Sequence, residues 1–108
     1  MKGKYKVEYS PEALDDLRSI YSYIAFRLRE RKTAKDLIGR IRKEIRSLND
    51  MPERYAAVDW EPWSSMRMRH FAVDNFLVFY LVINEDHMVQ ITRILYGGQD
   101  IEQIAQEQ

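Results

Sequence analysis

Cysteine is absent from this 108-residue chain, and histidine occurs only twice. Disulfides, thiolate metal sites and a cysteine nucleophile are therefore excluded. His70 and His87 lack the nearby carboxylates or third ligand that would complete a metal centre, so metal catalysis is not expected and no cofactor is implied. Nowhere do roughly 18 or more apolar residues run together, as a helical membrane span requires. No apolar N-terminal stretch resembles a signal peptide. The longest apolar block, Phe76 to Ile83, has strand length. A cytoplasmic protein without a membrane partner is the expectation. Repeats, linkers and low-complexity segments are also lacking, so residues 1–108 read as one domain of ordinary size, roughly 100–150 residues being most common.

Neither sign of charge predominates, because 17 Lys and Arg meet 17 Asp and Glu. Their distribution is uneven. From Arg27 to Arg46 nine basic residues face only Glu30, Asp36 and Glu44. Such a local excess can attract nucleic acid or an acidic protein, or it can simply solvate a helix face.

Lys4 to Tyr9 alternates charged and apolar residues and predicts a half-buried strand with Tyr5, Val7 and Tyr9 on one face. Ser10-Pro11-Glu12 then supplies an N-cap, a proline at the first helical position and an acid in the first turn. Ala13, Leu14, Leu17, Ile20, Tyr21, Ile24 and Leu28 form the apolar stripe of the helix that follows. Thr33 with Asp36 resembles a capping box that starts a second helix. Leu37, Ile38, Ile41, Ile45 and Leu48 make its stripe, and Lys35, Arg42, Lys43 and Arg46 point away. Gly39 costs about 1 kcal/mol there relative to alanine, which suggests a close contact. The two helices read as an αα-hairpin. Asn49 to Ser65, broken by Pro52 and Pro62, carries Tyr55, Trp60 and Trp63 and reads as a lid over the core or as a functional loop.

Three strands follow, at Arg67–Val73, Phe76–Ile83 and Met88–Tyr96, with Asp74-Asn75 as a two-residue hairpin turn. Asp100 to Gln106 predicts a short final helix. The order is β-α-α-β-β-β, an α+β domain with a helical hairpin packed on one face of a small, mostly antiparallel sheet. Phe76 to Ile83 is apolar at nearly every position, so both its faces need cover. The hairpin shields one; the C-terminal segment or a partner must shield the other.

In this order the pieces resemble the RelE/ParE toxin superfamily along nearly the whole chain. The strand, Ser-Pro step and helix from Tyr5 to Ile24, with Ala13-Leu-Asp-Asp-Leu17, are similar to the family's start. Met51-Pro-Glu-Arg-Tyr55 resembles its turn after the second helix. Met68-Arg-His-Phe-Ala-Val-Asp-Asn-Phe-Leu-Val-Phe-Tyr80 is similar to its arginine-led hairpin, and Val89 to Asp100 to its last strand and tail. The resemblance implies the toxin of a type II toxin–antitoxin (plasmid stabilisation) module. It also implies a cognate antitoxin whose tail wraps the toxin and covers an apolar strand face, and promoter DNA bound indirectly through that antitoxin.

The superfamily divides by target. RelE-like members cut messenger RNA on the ribosome, which needs proton-transfer groups and cations on the phosphate. ParE-like members poison DNA gyrase by binding. On the nuclease reading the catalytic residues are Arg69, Arg93 and Tyr96. Arg93 is expected to share a strand face with Val89, Ile91 and Leu95, and its alternative role is a salt bridge to a loop acid such as Asp59 or Glu61. Tyr96 is an acid–base group or a packing residue. His70, alternating with Arg69, reads as exposed. The terminal segment Asp100 to Gln108 holds no Lys or Arg, which favours a ParE-like, non-enzymatic toxin. Gly98 and Gln99, which replace arginines frequent in that branch, leave open a degenerate member that keeps antitoxin binding alone. Tyr23 and Phe26 lie opposite the first helix's stripe, as a partner site or beneath the Trp60–Trp63 loop.

Overall fold

Alternation in KVEY forms the first strand, β1 (Lys6–Tyr9); Val7 and Tyr9 pack on the core, and Lys6 and Glu8 pair in solvent. In the computed structural model, which describes residues 4–107, this strand leads directly into α1 (Pro11–Ser22). Ser10 caps the helix as expected, its Oγ accepting the Ala13 N–H at 3.0 Å. α1 continues into a π-helical stretch, Tyr23–Arg27, and the chain reverses through Arg29, whose φ is 57°.

α2 (Arg31–Arg46) returns against α1. The capping box expected at Thr33 does not form. Glu30 occupies the N-cap position, and Asp36 accepts from Lys32 Nζ at 2.9 Å. Thr33 already lies within the first turn, and a charged donor one turn back captures the Asp36 carboxylate. That contact holds the carboxyl of Asp36 below its usual range.

The four strands run in the order β1-β4-β3-β2, with β2 (Arg69–Val73), β3 (Phe76–Ile83) and β4 (Met88–Tyr96). β1 is parallel to β4, and the other pairings are antiparallel. Asp74, at φ 54°, and Asn75 close the β2–β3 hairpin as the sequence predicts. The helices cover one sheet face, with Leu17, Leu37, Ile41 and Ile45 packed on Val78, Tyr80, Val89 and Ile91.

The chain covers the other face itself. Val58, Trp63 and Met68 from the long loop and Ile101, Ile104 and Ala105 from α3 (Ile101–Gln106) enclose Leu77, Phe79, Leu81 and Leu95. Trp63 lies 4.7 Å from Phe79 and 5.3 Å from Trp60, ring centre to ring centre. The aromatic loop is thus a lid, and β3 does not depend on an antitoxin for its second layer.

Gly39 departs from expectation. It is exposed, and a Cβ built on it would meet nothing within 4 Å. Among the described residues no packing uses its lack of a side chain. Gly39→Ala is therefore expected to raise stability by about 1 kcal/mol, measured as a shift of the urea midpoint at unchanged slope. A lower midpoint would contradict this.

Candidate functional site

β1 stops at Tyr9, and its pairing with β4 ends at Ile91. The edge of β4 beyond that point would be bare, and α1 closes it. The Ser10 N–H donates to Ile91 O at 2.9 Å, and Ser10 Oγ donates to Thr92 O at 2.8 Å. In the second turn of α1, Asp16 Oδ2 accepts the Ile94 N–H at 2.9 Å and Arg93 Nε at 2.7 Å. Its Oδ1 accepts Arg93 Nη2 at 3.0 Å. One carboxylate thus serves both the sheet edge and a bidentate ion pair, with Arg93 and Asp16 side chains only 18% and 13% exposed. The hydrogen bond to Asp16 pushes the Arg93 guanidinium above its ordinary pKa.

Two expectations about Arg93 change here. Its partner is Asp16, whereas Glu61 binds the backbone and hydroxyl of Ser65. Its strand neighbours also differ, because β3 pairs Phe79 with Arg93 and Tyr80 with Ile91, leaving Thr92 as an extra residue. This bulge breaks the two-residue alternation. Val89, Ile91 and Ile94 face the helices, while Leu95 belongs to the opposite cluster. In the sequence Asp16 stands only within the Ala13–Leu17 match, with no partner assigned to it, although an acid flanked by Ala13, Leu17 and Ile20 on an apolar stripe signals a buried partner.

Beside the ion pair lies a groove of about 770 Å³. Tyr23, Ile24 and Leu28 line it from the end of the first helix, and Phe76, Ile94 and Tyr96 line it from the strands. The π-helical stretch shapes its rim: Leu28 N–H bonds to Tyr23 O and Glu30 N–H to Ile24 O, a wider winding than an α-helix gives. Leu28 therefore leaves the buried stripe. Tyr23, Leu28 and Tyr96 are each about half exposed, as is Phe26. The tryptophans lie across the sheet, so Tyr23 and Phe26 are not beneath that loop.

Arg93 and Tyr96 share this groove; Arg69 does not line it. Arg69 Nη1 donates to Tyr55 O at 2.6 Å and Glu53 O at 3.2 Å, tying down the turn after α2. Tyr96 stands edge-on to Phe76, and its N–H donates to Gln99 Oε1 at 3.1 Å. Gly98 lets the Tyr96 ring lie where it does, since a Cβ there would come within 2.5 Å of that ring and displace it. His70 is half-buried rather than exposed, stacked on Phe79 at 5.7 Å because the lid encloses that side of β2. Its Nδ1 has no hydrogen-bond partner among the described residues. With Trp60, Asp100 and Glu102 it lines a smaller pocket of about 270 Å³. Among the described residues no three His, Asp or Glu side chains converge as metal ligands.

The helical hairpin on a mixed four-stranded sheet, with an apolar groove where the first helix meets the last strand, defines a toxin fold of the RelE/ParE kind. The chain aligns with a ParDE toxin–antitoxin structure from P. aeruginosa at TM-score 0.70 and 19% identity, covering 86% of this chain and 96% of that one. The free E. coli RelE toxin, as a double mutant, aligns at TM-score 0.65 and 14% identity, with 96% of each chain covered. The toxin–antitoxin complex RelBE from Mycobacterium tuberculosis gives 0.63 and 15%, covering 89% and 94%. No curated protein matches the chain in sequence. The family model of the ParE toxin of the type II toxin–antitoxin system parDE matches residues 7–101. This chain belongs to that ParE toxin family.

Removing either partner of the ion pair strands a nearly buried charge. Asp16→Ala and Arg93→Ala are each expected to cost about 3 kcal/mol, and the double variant less than their sum, in urea unfolding. Additive losses would deny the coupling. A second expectation concerns alkaline pH. Tyr80 is buried, donates to Pro52 O at 2.9 Å, and has its pKa pushed up to about 12 by burial. The unfolded phenol ionises first, near 10, so stability is full below that pH and is lost as pH rises from 10 to 12. Tyr80→Phe is expected to flatten this fall in a pH series of unfolding curves.

Proposed function

We propose that this toxin inhibits growth by binding a target of the DNA gyrase type, without catalysing a reaction, and that a cognate antitoxin neutralises it. The observation that carries the reading is the make-up of the groove: aromatic and aliphatic side chains line it together with Ser19, Asn75 and Gln99, and its one arginine is already bound to a carboxylate. A pentavalent phosphate needs uncommitted cations aimed at its oxygens. Arg93 is held by Asp16, and Arg69 is occupied with loop carbonyls. The half-exposed apolar residues Tyr23, Leu28 and Tyr96 suit a partner segment that buries them. An antitoxin tail would do so, promoter DNA then being reached through the antitoxin. Structural neighbours solved as toxin–antitoxin complexes support that partnership. The corresponding site of action is the cytoplasm.

The alternative is a RelE-like ribosome-dependent ribonuclease, which Tyr96 beside Arg93 favours. There Arg93, and Arg69 after a rearrangement, would hold the phosphate and Tyr96 would transfer a proton. Induced expression with and without the neighbouring gene product separates the readings. A DNA-damage response with intact messages is expected, abolished by the neighbour. Cleaved messages on ribosomes with normal gyrase activity would overturn the proposal, and unaffected growth would indicate a degenerate member. Tyr96→Phe is expected to remain toxic; a loss of about 100-fold or more would mark proton transfer.

A further inference from the structure

α2 carries a second surface that the groove does not use. At 3.6 residues per turn, Lys32, Lys35, Arg42, Lys43 and Arg46 fall within a sector of roughly 100°. That sector lies opposite Leu37, Ile41 and Ile45, and all five cations are exposed. From Lys35 to Arg46 the stripe runs about 16 Å at 1.5 Å per residue. Its acids do not neutralise it. Asp36, at the margin, is held by Lys32, and Glu44 is turned away to accept from Tyr55 Oη at 3.0 Å. Lys35, Arg42, Lys43 and Arg46 have no acidic partner among the described residues. Gly39 sits in the middle of this stripe. It is the one residue of the helix that leaves the backbone bare, and nothing among the described residues fills the space.

We propose that this face of α2 binds the phosphate backbone of duplex DNA, with Gly39 letting a phosphate approach the helix between the flanking cations. A folded protein partner fits poorly, because protein interfaces are anchored on buried aromatic or aliphatic side chains. This stripe has none. Nucleic-acid interfaces are more polar and far more positive. Single-stranded RNA would require aromatic stacking platforms, and Tyr9, the one aromatic ring here, lies under Arg42 at 5.4 Å. A straight row of cations on a rigid helix suits the regular phosphate rank of a duplex. The inference stands on this surface alone and holds whichever toxin target is correct.

The test is fluorescence anisotropy of the full chain with a labelled 20-base-pair duplex of arbitrary sequence, across a salt series. Four phosphate contacts predict a loss of affinity of about 100-fold between 50 and 200 mM salt. Lys35→Gln, Arg42→Gln, Lys43→Gln and Arg46→Gln should each lower the log–log salt slope by about 0.9. Arg40→Gln, off the stripe and paired with Asp74, should leave it unchanged. Gly39→Leu should bind severalfold more weakly while its unfolding midpoint does not fall. No binding at 50 mM salt overturns the proposal. So does a slope indifferent to the glutamine variants, full affinity in Gly39→Leu, or equal affinity for single-stranded RNA.

Discussion

One carboxylate joins the two halves of this molecule. Asp16 projects from the first helix, receives the guanidinium of Arg93 through two hydrogen bonds, and takes the Ile94 N–H that the ending of β1 leaves bare. Ser10 does the same one step earlier, for Ile91 and Thr92. The start of the first helix is thereby fixed against the middle of β4. β4 in turn lies between β1 and β3, so its position governs how the sheet is arranged. A buried charge pair of this kind adds little net stability over an apolar equivalent, but losing one partner is costly. It specifies a single docking of helix on strand.

The bulge at Thr92 belongs to the same device. It turns Arg93 towards Asp16 while Ile94 and Leu95 resume packing on opposite faces of the sheet. The groove lies between the strand end and the π-helical end of the first helix.

With Trp63, Met68 and α3 on the far face, the sheet is covered on both sides by its own chain. Two unpartnered surfaces lie apart from each other: the groove beside β4 and a cationic stripe along α2. Apolar burial and counterion release are different driving forces. Neutral net charge conceals this division, because the acids lie elsewhere along the chain.

Period and punctuation determined much of this in advance. Ser10-Pro11 starts the first helix, Asp74-Asn75 turns the hairpin, and the runs Phe76–Ile83 and Met88–Tyr96 are strands with the expected bounds. Each signal is local, set by side-chain spacing and backbone preference over a few residues. The order of motifs also pointed to the toxin family. The tertiary structure alone decided what depends on residues far apart. Asp16 finds Arg93 across 77 positions, one unpaired threonine shifts the register, His70 is enclosed by a loop, and Gly39 faces open space. A two-residue period cannot foresee its own interruption, and a charge in a stripe does not say which distant charge will meet it. Those outcomes arise only when the elements pack and each buried polar group must find a partner.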